Sequence, residues 1–110
     1  LIIPESGHNI APEPIEERFL QYCPKAESCM LVGHGRPYLA IIVTGDVQAD
    51  NVEKAIEVIN GEVPHYRKIR KWYRSREGFT VENGLLTANQ KLRRRVIEDH
   101  FQQEIDTLYA

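Results

Sequence analysis

The sequence predicts an α+β domain: a small sheet with an antiparallel hairpin and about three packed helices. Two apolar, β-branched runs, residues 28–32 and 38–44, flank Gly33-His34-Gly35-Arg36-Pro37, the pattern of a hairpin. Apolar side chains recur at helical spacing in three other stretches: Ile15, Phe19 and Tyr22; Val52, Ala55, Ile56 and Ile59; and Leu92 through Tyr109. The order reads β-α-β-β-α-β-α. A chain of 110 residues, 42% of them hydrophobic, suffices for one domain with a thin two-layer core.

The elements follow in order. Leu1-Ile2-Ile3 reads as a strand already under way, as in a domain cut from a longer polypeptide, and Pro4-Glu5-Ser6-Gly7-His8-Asn9 is a turn-rich loop. Pro12 suits the first position of a helix, where Glu13, Glu16 and Glu17 complement the helix dipole, and Pro24 stops it. Asp50-Asn51-Val52-Glu53 has the form of a capping box with Asp50 as the cap, and Gly61 closes the helix that follows. Residues 69–73 form an edge or half-exposed strand among charges. Phe79-Thr80-Val81 is a short strand entering the Asn83-Gly84 turn, and Thr87-Ala88-Asn89-Gln90 is a second capping-box candidate. Lys91 then opens a basic helix whose Leu92, Val96, Ile97, Phe101, Ile105, Leu108 and Tyr109 face a core.

Composition narrows the functional classes. The longest purely apolar run, residues 39–43, is too short to span a bilayer, and no signal-peptide pattern is present. Cys23 and Cys29 fit no zinc or redox spacing and read as two reduced thiols. His8, His34, His65 and His100 stand on different elements without ligand-like spacing, so no metal site is expected. Charge divides along the chain. Residues 1–63 carry four basic against ten acidic side chains, whereas residues 64–110 carry ten basic against six acidic. The second half is the one suited to meet an anion.

Within it, residues 67–76 interleave Trp72 and Tyr73 with six cations. Such a belt suits single-stranded nucleic acid, or else it is a solvated edge strand whose Trp72 packs on the sheet. The acidic first half, which would repel a long polyanion, favours the second reading. Arg93, Arg94 and Arg95 point about 100° apart around a helix and form no single patch. Their place at a helix start is electrostatically unfavourable, which suggests an outside anion or carboxylate partner. Gly7, Gly33 and Gly35 read as ordinary turn glycines. The chain has no phosphate-cradling glycine loop, metal-ligand cluster or nucleophile–base pair. It reads as half of an active site, with Lys91 as the contributed charge.

Three segments resemble the C-terminal domain of the AMP-forming acyl- and aryl-CoA synthetases, the adenylating superfamily. Ser6-Gly7-His8-Asn9-Ile10-Ala11-Pro12-Glu13-Pro14-Ile15-Glu16 resembles the family's post-hinge loop and first helix. Val63-Pro64-His65-Tyr66-Arg67-Lys68-Ile69 resembles the stretch after its central helix. Phe79 through Thr87, with Lys91 and Arg93-Arg94, resembles the catalytic-lysine segment in the form typical of long-chain fatty acyl-CoA synthetases. Most of the superfamily has glycine before the lysine; here it is Gln90, and the long-chain branch often lacks that glycine as well.

The resemblance implies that residues 1–110 are a single C-terminal lid domain of a larger AMP-binding enzyme, inactive alone, whose N-terminal adenylation domain is its partner. It implies ATP, Mg²⁺ and CoA as requirements of the full-length enzyme, none of them bound by this domain alone. A long-chain fatty acid or other carboxylate would be the substrate, nucleic acid would be no partner, and the setting would be cytoplasmic or peripheral at a membrane. Lys91 would be the catalytic residue of adenylation, and Gly7 and His8 would line the CoA pantetheine channel. An acyl-acyl-carrier-protein synthetase or acyl-AMP ligase of the same superfamily, and an independent single-stranded nucleic-acid-binding module, are the alternatives.

Overall fold

The computed structural model describes all 110 residues. Helix α1 (Pro12–Tyr22) leads into strands β1 (Ala26–Val32) and β2 (Leu39–Gly45). Helix α2 (Ala49–Asn60) and a 3₁₀ turn (His65–Arg67) then lead to β3 (Ile69–Ser75), and α3 (Arg94–His100) and α4 (Gln102–Leu108) complete the chain. The sheet order is β1-β2-β3. β1 and β2 form the expected antiparallel hairpin, while β3 runs parallel to β2 through the α2 crossover. The α+β class therefore holds, with a mixed sheet and a fourth helix.

The core has three layers, where sequence reasoning gave two. Cys29, Leu31, Leu39, Ile41 and Val43 point to one face and are buried under α1 and α2 with Ile15, Phe19, Val52, Ala55 and Ile59. Met30, Val32, Ala40 and Ile42 point to the other and are buried with Phe79, Leu85, Ile97, Phe101 and Ile105. The two central runs are continuously apolar because both of their faces are covered. That absence of alternation was the readable sign of helices on both sides.

Several element ends differ from expectation. The opening strand is reduced to one bridge, in which Ile2 and Ile10 exchange backbone hydrogen bonds of 2.8 Å each. Helix α2 begins two residues before the expected start, with Gln48 as the cap, whose N–H donates to Asn51 Oδ1 at 3.1 Å. Phe79-Thr80-Val81 is not a strand. The Asn83 side chain accepts from the N–H groups of Thr80 and Leu85, both at 3.1 Å, and so competes with strand pairing. The last helix is interrupted at Phe101, which leaves helical geometry (φ −105°, ψ 24°) while its ring packs beside Tyr73 and Phe79. No helix is long and apolar enough to cross a membrane.

Candidate functional site

Lys91 sits in a tight antiparallel turn between Leu86 and Leu92, which pair as an isolated bridge. Thr87 N–H donates to the Lys91 carbonyl at 2.8 Å, and Lys91 N–H donates to Thr87 Oγ1 at 3.1 Å. Gln90 N–H closes the turn on the Thr87 carbonyl at 2.7 Å. Lys91 therefore does not open a helix, and the expected Thr87–Gln90 capping box is a hairpin turn instead. The reason is local: Gln90 has φ 63°, the sole positive value outside glycine, and left-handed backbone cannot continue into a right-handed helix. The helix starts three residues later, at Arg94. Lys91 is exposed, and none of the ion pairs in the chain uses its ammonium.

The turn borders a cleft of about 580 Å³ between α1 and the outer edge of β1. Glu13, Glu16 and Glu17 line it with Cys29, Lys91 and Arg94. Three carboxylates against two cations give the cleft a net negative charge, and Glu16 is neutralised by Arg94. Glu16 is only 6% exposed yet fully satisfied. It accepts hydrogen bonds from the two terminal guanidinium nitrogens of Arg94, at 2.8 and 2.7 Å, and from the N–H of Leu31, on the unpaired edge of β1, at 2.7 Å. The hydrogen bonds to Glu16 hold the Arg94 proton more tightly than in an ordinary arginine. Beneath them, Cys29 donates weakly to the Glu16 carbonyl, and burial pushes its thiol far above the usual range.

Gly7 and His8 occupy a different loop. Gly7 has φ 82°, where an L side chain is strained, while a Cβ there would meet nothing within 4 Å. The glycine is thus required by backbone conformation; no close approach within this chain demands it. The loop is tied to the β1–β2 turn by Glu5 N–H on the Arg36 carbonyl and Gly35 N–H on the Ile3 carbonyl, each 2.9 Å. The exposed His8 ring lies flat on Tyr66, with centroids 3.6 Å apart and an interplanar angle of 4°. Its Nδ1 is 3.0 Å from Ser6 Oγ. The structure does not bring Lys91 and the Gly7 loop into one pocket.

Residues 1–110 match the family model "AMP-binding enzyme C-terminal domain" over their whole length. The chain belongs to this family. Among curated proteins, it is 27% identical to a long-chain-fatty-acid–CoA ligase of Gallus gallus, over all of this chain and 20% of that protein. It is 30% identical to a chloroplastic long-chain-fatty-acid–[acyl-carrier-protein] ligase of Arabidopsis thaliana, over 99% of this chain and 16% of that one. The chain thus spans about a fifth of the curated relatives it matches. Its fold is similar to the adenylation domain of a carboxylic acid reductase from Segniliparus rugosus, solved with AMP and a co-purified carboxylic acid. There the TM-score is 0.84 at 20% identity, covering 98% of this chain and 19% of that one. A Mycobacterium tuberculosis fatty acyl CoA synthetase gives a TM-score of 0.69 at 17% identity, over 94% and 20%.

In this AMP-binding C-terminal domain the basic belt is the solvated edge strand that sequence reasoning favoured. Trp72 packs against the α1/α2 side of the sheet and Tyr73 against the α3/α4 side, so they share no stacking platform. Arg74 donates to the Val47 carbonyl at 3.0 Å, and Arg70 contacts the His65 ring. No three His, Cys, Asp or Glu side chains converge to hold a metal ion. Cys23 and Cys29 are both buried free thiols.

Sequence reasoning missed Glu16, Arg94 and Tyr66. The partner expected for the arginine triplet was an outside anion or carboxylate, whereas Arg94 is half-buried and pairs with a carboxylate of its own chain, 78 residues away. The readable signal for Glu16 was its place beside Ile15 in the apolar stripe of α1. Tyr66 stood in the segment of residues 63–69 that resembles the family, but its stacking on His8 had no local signature.

Proposed function

We propose that this domain is the mobile lid of an ATP-dependent, AMP-forming ligase that activates a long-chain fatty acid and transfers it to a thiol, and that Lys91 is its catalytic lysine. The observation that carries this reading is an exposed, unpaired ammonium on a hydrogen-bonded turn, in a chain of the AMP-binding C-terminal family. The names of the Gallus and Arabidopsis relatives support the fatty acid as substrate.

In the first half-reaction the fatty carboxylate attacks the α-phosphate of ATP, entering with Mg²⁺ as substrate, and pyrophosphate leaves. Two anionic groups must approach each other. An ammonium on a long stem brings one compact positive charge to the point where negative charge accumulates. Lys91 supplies it when the lid closes on the N-terminal adenylation domain, which holds the nucleotide. In the second half-reaction a thiol displaces AMP from the acyl-adenylate to give a thioester. For this the lid turns, withdraws Lys91, and presents the loop of Gly7 and His8 to the pantetheine arm. CoA is the acceptor named for the Gallus relative, and the Arabidopsis protein favours a carrier protein as the second acceptor to try.

Lys91→Ala in the full-length enzyme is expected to slow acyl-adenylate formation by roughly a hundred- to a thousandfold, the cost of removing one transition-state donor. Thioester formation from preformed acyl-adenylate should stay near wild type. Separate assays of the two half-reactions decide it: an equal loss in both contradicts the assignment.

A further inference from the structure

The Lys91 turn is a two-stranded bridge of minimal length, and such a hairpin is only marginally stable without outside support. Its support on the helical side is Arg94, three residues beyond the lysine and the first residue of α3. Arg94 is held by a two-pronged bond to a carboxylate that is itself fixed to the sheet through Leu31 N–H. A continuous path therefore runs from the edge of β1 through Glu16 and Arg94 to the turn. Ion pairs taken out of water are often replaceable by apolar side chains without loss of stability, so the pair is weak evidence for a stabilising role alone. What a planar, two-pronged pair does provide is geometry.

We propose that Glu16 and Arg94 are positioning residues for Lys91, bracing the turn so that its ammonium is presented at one fixed place. This rests on the reading of Lys91 as the adenylation lysine. Arg94 acts through Lys91 and touches no substrate. A displacement of about 1 Å at a reacting group costs on the order of a hundredfold in rate. Loosening the brace has an effect of that size on adenylation and none on thioester formation.

The test is a double-mutant cycle in the full-length enzyme. Arg94→Lys keeps the charge and loses the two-pronged bond; Glu16→Gln, which keeps shape and loses charge, is the second variant should the first fail to fold. The expected result is about a hundredfold lower kcat for acyl-adenylate formation, with the KM for ATP and the thioester half-reaction unchanged. In a Lys91→Ala background the same substitution should bring no further loss. An equal loss in both half-reactions marks a merely structural pair and overturns the proposal, as does an unchanged adenylation rate. An undiminished loss in the Lys91→Ala background overturns it too, since Arg94 would then act independently. Full adenylation activity in Lys91→Ala alone is a different failure: it removes the catalytic assignment on which the brace depends.

Discussion

The turn that carries Lys91 and the loop that carries Gly7 and His8 both leave a polar side chain in solvent, yet different forces hold them. The first lies along the outer edge of β1, braced by a half-buried, two-pronged ion pair and by its own backbone bonds. The second lies beside the β1–β2 turn and the 3₁₀ turn, held by backbone bonds and by one aromatic stack. An ion pair with fixed geometry suits a charge that must arrive at one point. A stack on an exposed face permits sliding and suits a wall along which a flexible arm passes. The contrast matches the two proposed tasks, delivery of an ammonium and lining of a passage.

The contrast can be sharpened by removing the stack. Tyr66→Ala frees the His8 ring and should lower the rate of thioester formation by roughly tenfold, a fraction of what a 1 Å displacement costs a reacting group. Adenylation should be unchanged. Stopped-flow measurement of each half-reaction checks this, and a loss confined to adenylation would break the division of labour between the two loops.

A smaller effect concerns the lysine turn itself. Left-handed backbone costs an L residue about 1–2 kcal/mol, of which the greater chain entropy of glycine returns part. Gln90→Gly should therefore raise stability by about 0.5–1 kcal/mol in urea unfolding of the domain. A loss of stability would mean that the Gln90 side chain contributes contacts outweighing the backbone strain at φ 63°.

Local patterns and long-range pairings differed in how far they could be read. Pro12, the glycines of the hairpin turn and the stripe of α2 located their elements closely, because each acts on its own few neighbours. Lys91 was recognised as the charge this chain contributes, but its turn was taken for a helix start. Thr87 and Gln90 satisfy the spacing of a capping box, and only the backbone angle of Gln90 distinguishes the two outcomes. The third layer was legible in the unbroken apolar run of residues 39–43 and was not inferred. The Glu16–Arg94 brace had no local signature, since its two ends are 78 residues apart. The His8–Tyr66 stack likewise depends on the packing of the 3₁₀ turn against the loop before α1.

The central claim is that the Lys91 ammonium, free on this domain, enters a nucleotide site on a neighbouring one. Reaction of Lys91 with an amine-directed reagent in the full-length enzyme tests it most directly, read by peptide mass spectrometry. The account predicts ready labelling in the free enzyme and strong protection when ATP is bound with a non-reactive analogue of the fatty acid. Labelling that is identical with and without the nucleotide would contradict it.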